Sequence, residues 1–238
     1  MNAVIVIPTY NERNNIQLLV EEIFKVAPSI RILIVDDNSP DGTGRIADEL
    51  TKKYPQVNVL HRKKKKGLGR AYIAGFKEAL EMNPDYILQM DADFSHHPKY
   101  IPLFLKEIVD YDIVSASRFL ESNKLPINVS ILSLLARRYS RWILGLRITD
   151  PLGGFKCFRR KVLEEIELDK FISKGFVFQA EFTSRAFRKG FTVKEIPIYF
   201  YSRRFGETKK TIRIVSEAFF KVILLKYVYW FRMFQTHQ

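Results

Sequence analysis

The chain has 238 residues, 47% of them hydrophobic and 27% charged, which supports one cored domain, or one with an appendage, and excludes wholesale disorder. Lysine plus arginine number 39 against 26 acidic residues, a net charge of +13, so anionic partners are expected. The single cysteine, Cys157, excludes an intrachain disulfide and a cysteine-rich zinc site, and fits a reducing compartment.

Taken in chain order, Ala3–Ile7 is a buried-strand run that breaks at Pro8 and lacks a basic leader, so it is expected to be a first strand and not a signal peptide. Ile16, Leu19, Val20, Ile23 and Phe24 follow at helical spacing within Asn14–Val26. Strand Arg31–Val35, helix Gly42–Lys53, strand Val57–Leu60, helix Leu68–Met82 and strand Tyr86–Met90 come next. Helix Pro98–Val109 and a fifth strand, Asp112–Ala116, complete the alternation. Repeated strand–helix units imply a parallel α/β sheet covered on both faces, with ligands outside the carboxyl ends of the strands.

Beyond Ser117 the pattern changes. Residues 118–149 are basic and apolar by turns, without strand signals. A short strand is expected over Phe155–Arg159, helices over Lys161–Leu168 and Val177–Arg188, a strand pair bent at Pro197 over Phe191–Tyr201, and a long helix over Thr211–Phe234. The longest uncharged stretch, Leu125 to Ala136, is short of the ~20 apolar residues that a spanning helix needs. Positive charge concentrates in residues 61–70, 118–147 and 201–238, and the remainder is net acidic.

Four features sit at successive strand ends: Pro8-Thr9-Tyr10-Asn11-Glu12, Asp36-Asp37, Asp91-Ala92-Asp93 and Ser117-Arg118. Any one of them could simply mark a strand-to-loop turn. Four in register with the architecture point to a site. Extended spacing of two places the Asp91 and Asp93 carboxylates on one side of the chain. Two hard oxygen ligands suit Mg²⁺ or Mn²⁺, which completes its shell with water and phosphate oxygens. A nucleotide-sugar donor needs such an ion, because its leaving diphosphate gains negative charge as the glycosyl bond breaks. His96 and His97 adjoin the pair, but nitrogen ligands suit a Mg²⁺-phosphate site poorly. Gly67-Leu68-Gly69 lacks the third glycine of a dinucleotide loop, Tyr72 standing there, and is expected to be a helix-entry turn.

PTYNE, VDDNSPDGT, KKGLGRAYIAG, DADFSHHP, SRF, GFVFQAE and RRFGETK occur in that order between residues 3 and about 210. Together they resemble polyprenyl-phosphate mannosyltransferases, in particular the dolichol-phosphate mannose synthase type without a transmembrane domain, within the inverting family 2 glycosyltransferases. The resemblance implies a GT-A fold, a mostly parallel sheet with helices on both faces, over residues 1–210. In it, 118–149 form an acceptor-side, membrane-facing segment, and 211–238 an amphipathic C-terminal helix. It implies transfer of mannose from GDP-mannose to a polyprenyl or dolichyl phosphate with inversion. Carried over by position, Pro8, Tyr10 and Glu12 hold the nucleotide, with Val35 and Asp37 on its base or ribose side. Asp91, Ala92 and Asp93 hold the metal and diphosphate, and Arg118, Arg203 and Lys209 contact phosphate. Arg137 and Ser140 are the acceptor-side candidates, although the family's arginine four residues before the serine is Ala136 here. Its Asp-Leu-Thr-Gly-Ser-Phe-Arg becomes Asp150-Pro151-Leu152-Gly153-Gly154-Phe155-Lys156.

The chemistry of the residues agrees with a phosphate acceptor. A phosphate monoester is already ionised near neutral pH, its second pKa being about 6, so it needs no general base, whereas a sugar hydroxyl would. It needs cations, which the zones at 118–147 and 201–210 supply. In the tail, Arg213, Glu217 and Lys221 recur at spacing four among aromatic and aliphatic residues, a pattern that fits a helix at a membrane interface, or one packed on the body or on a dimer mate. A peripheral location on the cytoplasmic face of a membrane follows, and whether a membrane-anchoring partner subunit is needed stays open. Three alternatives remain: a UDP-glucose-dependent polyprenyl-phosphate glucosyltransferase, a family 2 enzyme acting on a sugar hydroxyl, and a basic nucleic-acid-binding module. The last leaves the paired carboxylates unexplained, so nucleic acid is not expected as a partner.

Overall fold

The computed structural model describes residues 1–120, 131–175, 177–201 and 222–227. Seven strands form one sheet: β1 (Ala3–Thr9), β2 (Arg31–Asp36), β3 (Val57–His61), β4 (Tyr86–Gln89), β5 (Ile113–Ser117), β6 (Lys156–Arg159) and β7 (Val193–Pro197). Their spatial order is β3-β2-β1-β4-β6-β5-β7. All neighbours are parallel except β6, which runs antiparallel to both β4 and β5. Because β6 is reversed, its entry, Gly153-Gly154-Phe155, lies beside the carboxyl ends of β4 and β5.

Every residue of β1 is buried, as expected for a central parallel strand covered on both faces. Ala3, Ile5 and Ile7 face one core with α1 (Ile16–Val26), α2 (Thr43–Lys53) and α4 (Ile101–Glu107). Val4 and Val6 face the other with α3 (Leu68–Glu81), α6 (Arg160–Glu165) and α7 (Val177–Arg188). The period-2 alternation of one strand thus serves two helical layers. On α1, Ile16, Leu19, Val20 and Ile23 are the buried residues, the stripe that the spacing predicts. At Gly75 of α3 an added Cβ would lie 2.4 Å from Val6 Cγ1 and 2.8 Å from Val35 Cγ2, so this glycine sets how closely α3 approaches the sheet.

Two expectations need correction. The helix from Pro98 begins as a 3₁₀ turn, Pro98–Tyr100, and becomes α-helical only over Ile101–Glu107. Pro102 has no N–H for the α-type bond to the Pro98 carbonyl, which Ile101 N–H takes instead. The strand pair over Phe191–Tyr201 is a single strand, β7, that ends at Pro197. Beyond it Tyr199 N–H bonds the Tyr100 hydroxyl at 2.8 Å and so leaves the ladder.

The segment after β5 forms α5 (Ile131–Leu144). Of the expected tail helix, residues 222–227 are described and are helical. Val222 and Leu225 are buried there with Val177, against Tyr139, Ile143 and Leu144. Among the described residues no helix is long and apolar enough to cross a membrane.

Candidate active site

The four sequence features meet at one edge of the sheet, the carboxyl ends of β1, β2, β4 and β5. On the β1–β2 side, Pro8 pairs with Val35 and Thr9 with Asp36. Thr9 Oγ1 donates to Asp36 Oδ1 at 3.1 Å, and the Ser39 hydroxyl and N–H donate to the same carboxylate at 2.6 and 3.1 Å. Asp36 therefore shapes the loop. Asp37 points elsewhere and pairs with Arg62. Burial raises its carboxyl above the ordinary range, against the pull of the Arg62 guanidinium. Tyr10 is half-buried, with Lys65 Nζ 3.8 Å from its ring centre. Glu12 accepts from Asn15 Nδ2 at 2.7 Å, and its N–H bonds Thr43 Oγ1 at 2.9 Å. The Val35 side chain is fully buried under α3, so a nucleotide here could meet only its main chain.

At the end of β4, Asp91 is held from three directions. The Tyr72 hydroxyl, projecting from α3, donates to Asp91 Oδ1 at 2.8 Å. Burial, and next the Asp91 charge, raise the Tyr72 phenol well above its usual pKa, so it remains a donor. Asp91 N–H bonds His96 Nδ1 at 3.0 Å. Burial lowers the His96 pKa, which keeps the imidazole neutral, and the acceptor role of Nδ1 puts its proton on Nε2. The ring also stacks on Phe155, centroids 5.1 Å apart. Gly154 forms the third wall: a Cβ there would stand 3.1 Å from His96 Cε1 and 3.5 Å from Asp91 Oδ2. Asp93 is buried and accepts Ser95 N–H at 3.0 Å, a turn made by Phe94 at φ 64°.

The pair fits a small divalent cation. Among the described residues no cluster of three or more His, Cys, Asp or Glu side chains forms a complete cage, and Mg²⁺ and Mn²⁺ characteristically take one or two carboxylates and leave the remaining positions to phosphate and water. His96 Nδ1 is engaged by the Asp91 main chain, and His97 Nδ1 by Lys99 N–H at 3.2 Å.

Arg118, at the end of β5, grips Asp150 with the two donors of one guanidinium edge, Nε–Oδ2 2.7 Å and Nη2–Oδ1 3.0 Å. Its guanidinium also lies 5.0 Å from the Phe200 ring centre and 5.4 Å from that of Phe119. A small, partly open cleft lies here, lined by His96, Arg118, Asp150, Gly154, Phe155 and Phe200 among others. It connects the Asp91 loop to the Arg118 fork. Arg137 of α5 stacks over Phe119 at 4.0 Å and reaches the Thr149 carbonyl at 3.3 Å. Ser140 is buried on the same helix. Arg203 and Lys209 lie outside the described residues.

A buried polar lattice supports this end of the sheet. Lys156, 1% exposed, donates to the Gly153 carbonyl and to Gln179 Oε1, the latter at 2.8 Å. Gln89 Nε2 bonds both the Gly154 carbonyl and Gln179 Oε1 at 2.7 Å. Burial pushes the Lys156 ammonium down to about 7, against the Asp150, Glu195 and Asp91 carboxylates. Glu181, two residues beyond Gln179, accepts Ile172 N–H and Ser173 N–H at 3.1 and 2.8 Å. The following Lys174 carbonyl accepts Gly69 N–H at 2.9 Å at the start of α3. The GFVFQAE stretch thus brackets two loops of the site. Sequence reasoning missed Tyr72, Gln89, Lys156, Gln179 and Glu195. The available signal was polar residues inside otherwise buried strand and helix patterns.

Residues 4–167 match the family described as Glycosyl transferase family 2. The chain belongs to that family. Among curated relatives, the polyprenol monophosphomannose synthase of Mycolicibacterium smegmatis is 42% identical over 225 residues, 92% of this chain and 85% of that protein. The undecaprenyl-phosphate mannosyltransferase of Micrococcus luteus is 41% identical over 221 residues, 92% of this chain and 91% of that protein. Among solved structures, glucosyl-3-phosphoglycerate synthase from Mycobacterium tuberculosis, in complex with Mn²⁺, UDP and glucosyl-3-phosphoglycerate, aligns with a TM-score of 0.67 at 18% identity, over 94% of this chain and 78% of that one. A mannosyltransferase from Pyrobaculum calidifontis in complex with GDP-Man and Mn²⁺ aligns with a TM-score of 0.64 at 15% identity, over 97% and 64%. At these identities the two structures speak for the fold. The GT-A architecture and the resemblance carried by the motifs are both borne out, and this family member is a glycosyltransferase.

Proposed function

We propose that the enzyme transfers mannose from GDP-mannose to a polyprenyl phosphate, with inversion at the anomeric carbon. The observation that carries this reading is the cleft between Asp91 and Arg118. Among the described residues that line the cleft the one carboxylate, Asp150, is held by the Arg118 fork and is not offered as a base to a hydroxyl acceptor. The guanidinium, by contrast, has N–H donors beyond the two given to Asp150 with which to meet a phosphate. An ionised phosphate supplies its own nucleophile. The two curated mannosyltransferases named above support the same substrate class.

In this reading Pro8, Tyr10, Glu12, the Val35 main chain and Asp37 hold the nucleotide. Asp91 and Asp93, with the Ala92 main chain beside them, would hold Mg²⁺ or Mn²⁺, which when bound neutralises the leaving diphosphate. Tyr72 and His96 keep Asp91 in place. Arg118 receives the acceptor phosphate, with Arg137 and Ser140 on α5 lining the acceptor side and Arg203 and Lys209 as further cations from the sequence. Residues 1–210 act as the catalytic domain, and residues 118–149 and 211–238 as its membrane-facing parts. The lipid acceptor places the enzyme peripherally at a membrane, and a cytoplasmic face fits a cytosolic nucleotide donor.

The test offers GDP-mannose and UDP-glucose separately, with a polyprenyl phosphate and Mn²⁺ or Mg²⁺, and follows sugar into the lipid fraction. Labelling from GDP-mannose is expected, abolished by chelator and absent with the neutral polyprenol. Labelling from neither donor overturns the reading, and labelling from UDP-glucose alone replaces the donor.

A further inference from the structure

We infer that Asp150 and Glu195 are positioning residues for the acceptor phosphate: Glu195 fixes the Thr149–Asp150 turn, and Asp150 fixes the direction of the Arg118 fork. The inference rests on the proposed function, since it gives Arg118 a phosphate to receive. Glu195 lies on β7, directly across from Ser115 of β5. Its carboxylate gathers Thr149 N–H at 2.6 Å, Thr149 Oγ1 at 2.9 Å and Asp150 N–H at 2.9 Å. A threonine hydroxyl has one proton. Once it is given to Glu195, the 2.6 Å contact between Thr149 Oγ1 and Ser117 Oγ must be a donation from Ser117. Ser117 Oγ in turn accepts Phe119 N–H at 3.2 Å. The residues on both sides of Arg118 are therefore tied to the strand that carries Glu195, and the side chain of Arg118 is tied to Asp150.

A guanidinium offers five N–H donors in a rigid plane. Asp150 takes the edge formed by Nε and Nη2, which dictates where the Nη1 edge of that plane faces. Asp150 is 1% exposed, and a buried ion pair of this kind adds little net stability over an apolar pair of the same shape. Its placement in the wall of the cleft is explained by direction. The opposite role, in which Asp150 competes with the phosphate for Arg118, predicts the reverse kinetics.

The experiment compares wild type, Asp150→Asn, Glu195→Gln, Arg118→Lys and the Arg118→Lys/Asp150→Asn double variant in the full chain. Rates are measured against polyprenyl phosphate and against GDP-mannose, and binding of a short isoprenyl phosphate is followed by calorimetry. Asp150→Asn should raise the KM for the lipid phosphate about tenfold and weaken the short phosphate equally, with the donor KM within about twofold. Glu195→Gln should show the same split, about threefold, and carries the test should Asp150→Asn fail to fold. In the Arg118→Lys background Asp150→Asn should add almost nothing, because no fork remains to be aimed. A lowered lipid-phosphate KM in Asp150→Asn, equal effects on both substrates, or full additivity with Arg118→Lys overturns the inference while a working wild type preserves the proposed function. A wild type that neither labels lipid nor binds the short phosphate sinks both.

Discussion

Asp91 and Asp93 were legible from a spacing of two after an apolar strand, and Arg118 from its place at a strand end. Their partners were not, because each bond spans a distance in sequence that only the fold closes. Tyr72 stands 19 residues before Asp91, and local pattern gives it no role beyond filling the core. Tyr72→Phe keeps the packing and removes one hydrogen bond from Asp91. Loss of such an outer support commonly costs 10- to 100-fold in metal affinity or activity, so the Mn²⁺ concentration for half-maximal activity should rise about tenfold with little change in Tm. An unaltered Mn²⁺ titration would remove Tyr72 from the site. Lys156 makes a pH prediction. Its folded pKa of about 7 lies below the unfolded value near 10.5, so between these the unfolded chain binds more protons and stability rises with pH. Lys156→Met should lose that rise between pH 7 and 10, measured as the change in Tm with pH. Parallel profiles for the two proteins would show that Lys156 is not buried as described.

The elements were mostly readable, for a specific reason. Central parallel strands are apolar throughout and their helices carry a 3.6-residue stripe, so β1 to β5 and α1 to α4 announce themselves by change of period. The direction of β6 does not, since Lys156–Arg159 reads polar–apolar–apolar–polar from either end. β5 and β6 are antiparallel neighbours, which a tight hairpin could join, and the chain instead inserts α5 between them. The packing of α3 was equally hidden. Alanine normally stabilises a helix interior relative to glycine by about 1 kcal/mol. At Gly75 the added methyl would press on Val6 and Val35, two side chains fixed in the central sheet, and overpacking typically costs about 1–3 kcal/mol. Gly75→Ala should therefore lower stability in chemical denaturation, and a more stable variant would mean that α3 can lift without penalty.

At the scale of the molecule, among the described residues, positive charge and exposed apolar surface coincide beside the Arg118 cleft. α5 bears Arg137, Arg138 and Arg141 and no acidic residue. Arg137 reaches the Thr149 carbonyl at the cleft, while Trp142 and Leu135 on the same helix stand 76% and 59% exposed. Residues 222–227 fasten to this helix through Val222 and Leu225 and expose Leu224 and Tyr227. Lys226 Nζ lies 6.0 Å from the Trp142 ring centre. Residues 222–227 thus pack on one side against α5 and leave the other side exposed. An aromatic–cationic surface of this kind suits the headgroup level of an anionic bilayer, and a lipid whose phosphate sits at Arg118 would leave the cleft past it. Trp142→Ser removes the most exposed aromatic side chain among the described residues, worth about 1.5–3 kcal/mol if fully buried in the interface. It should cut vesicle binding about tenfold in sedimentation with anionic liposomes, and Arg138→Glu should make the remaining binding less sensitive to salt. Affinity for the proposed donor, GDP-mannose, should hold in both variants, since neither residue touches the β1–β2 side of the site. Equal pelleting of wild type and Trp142→Ser would assign this surface to something other than a membrane, and a parallel loss of donor affinity would mean that the substitution had disturbed the fold.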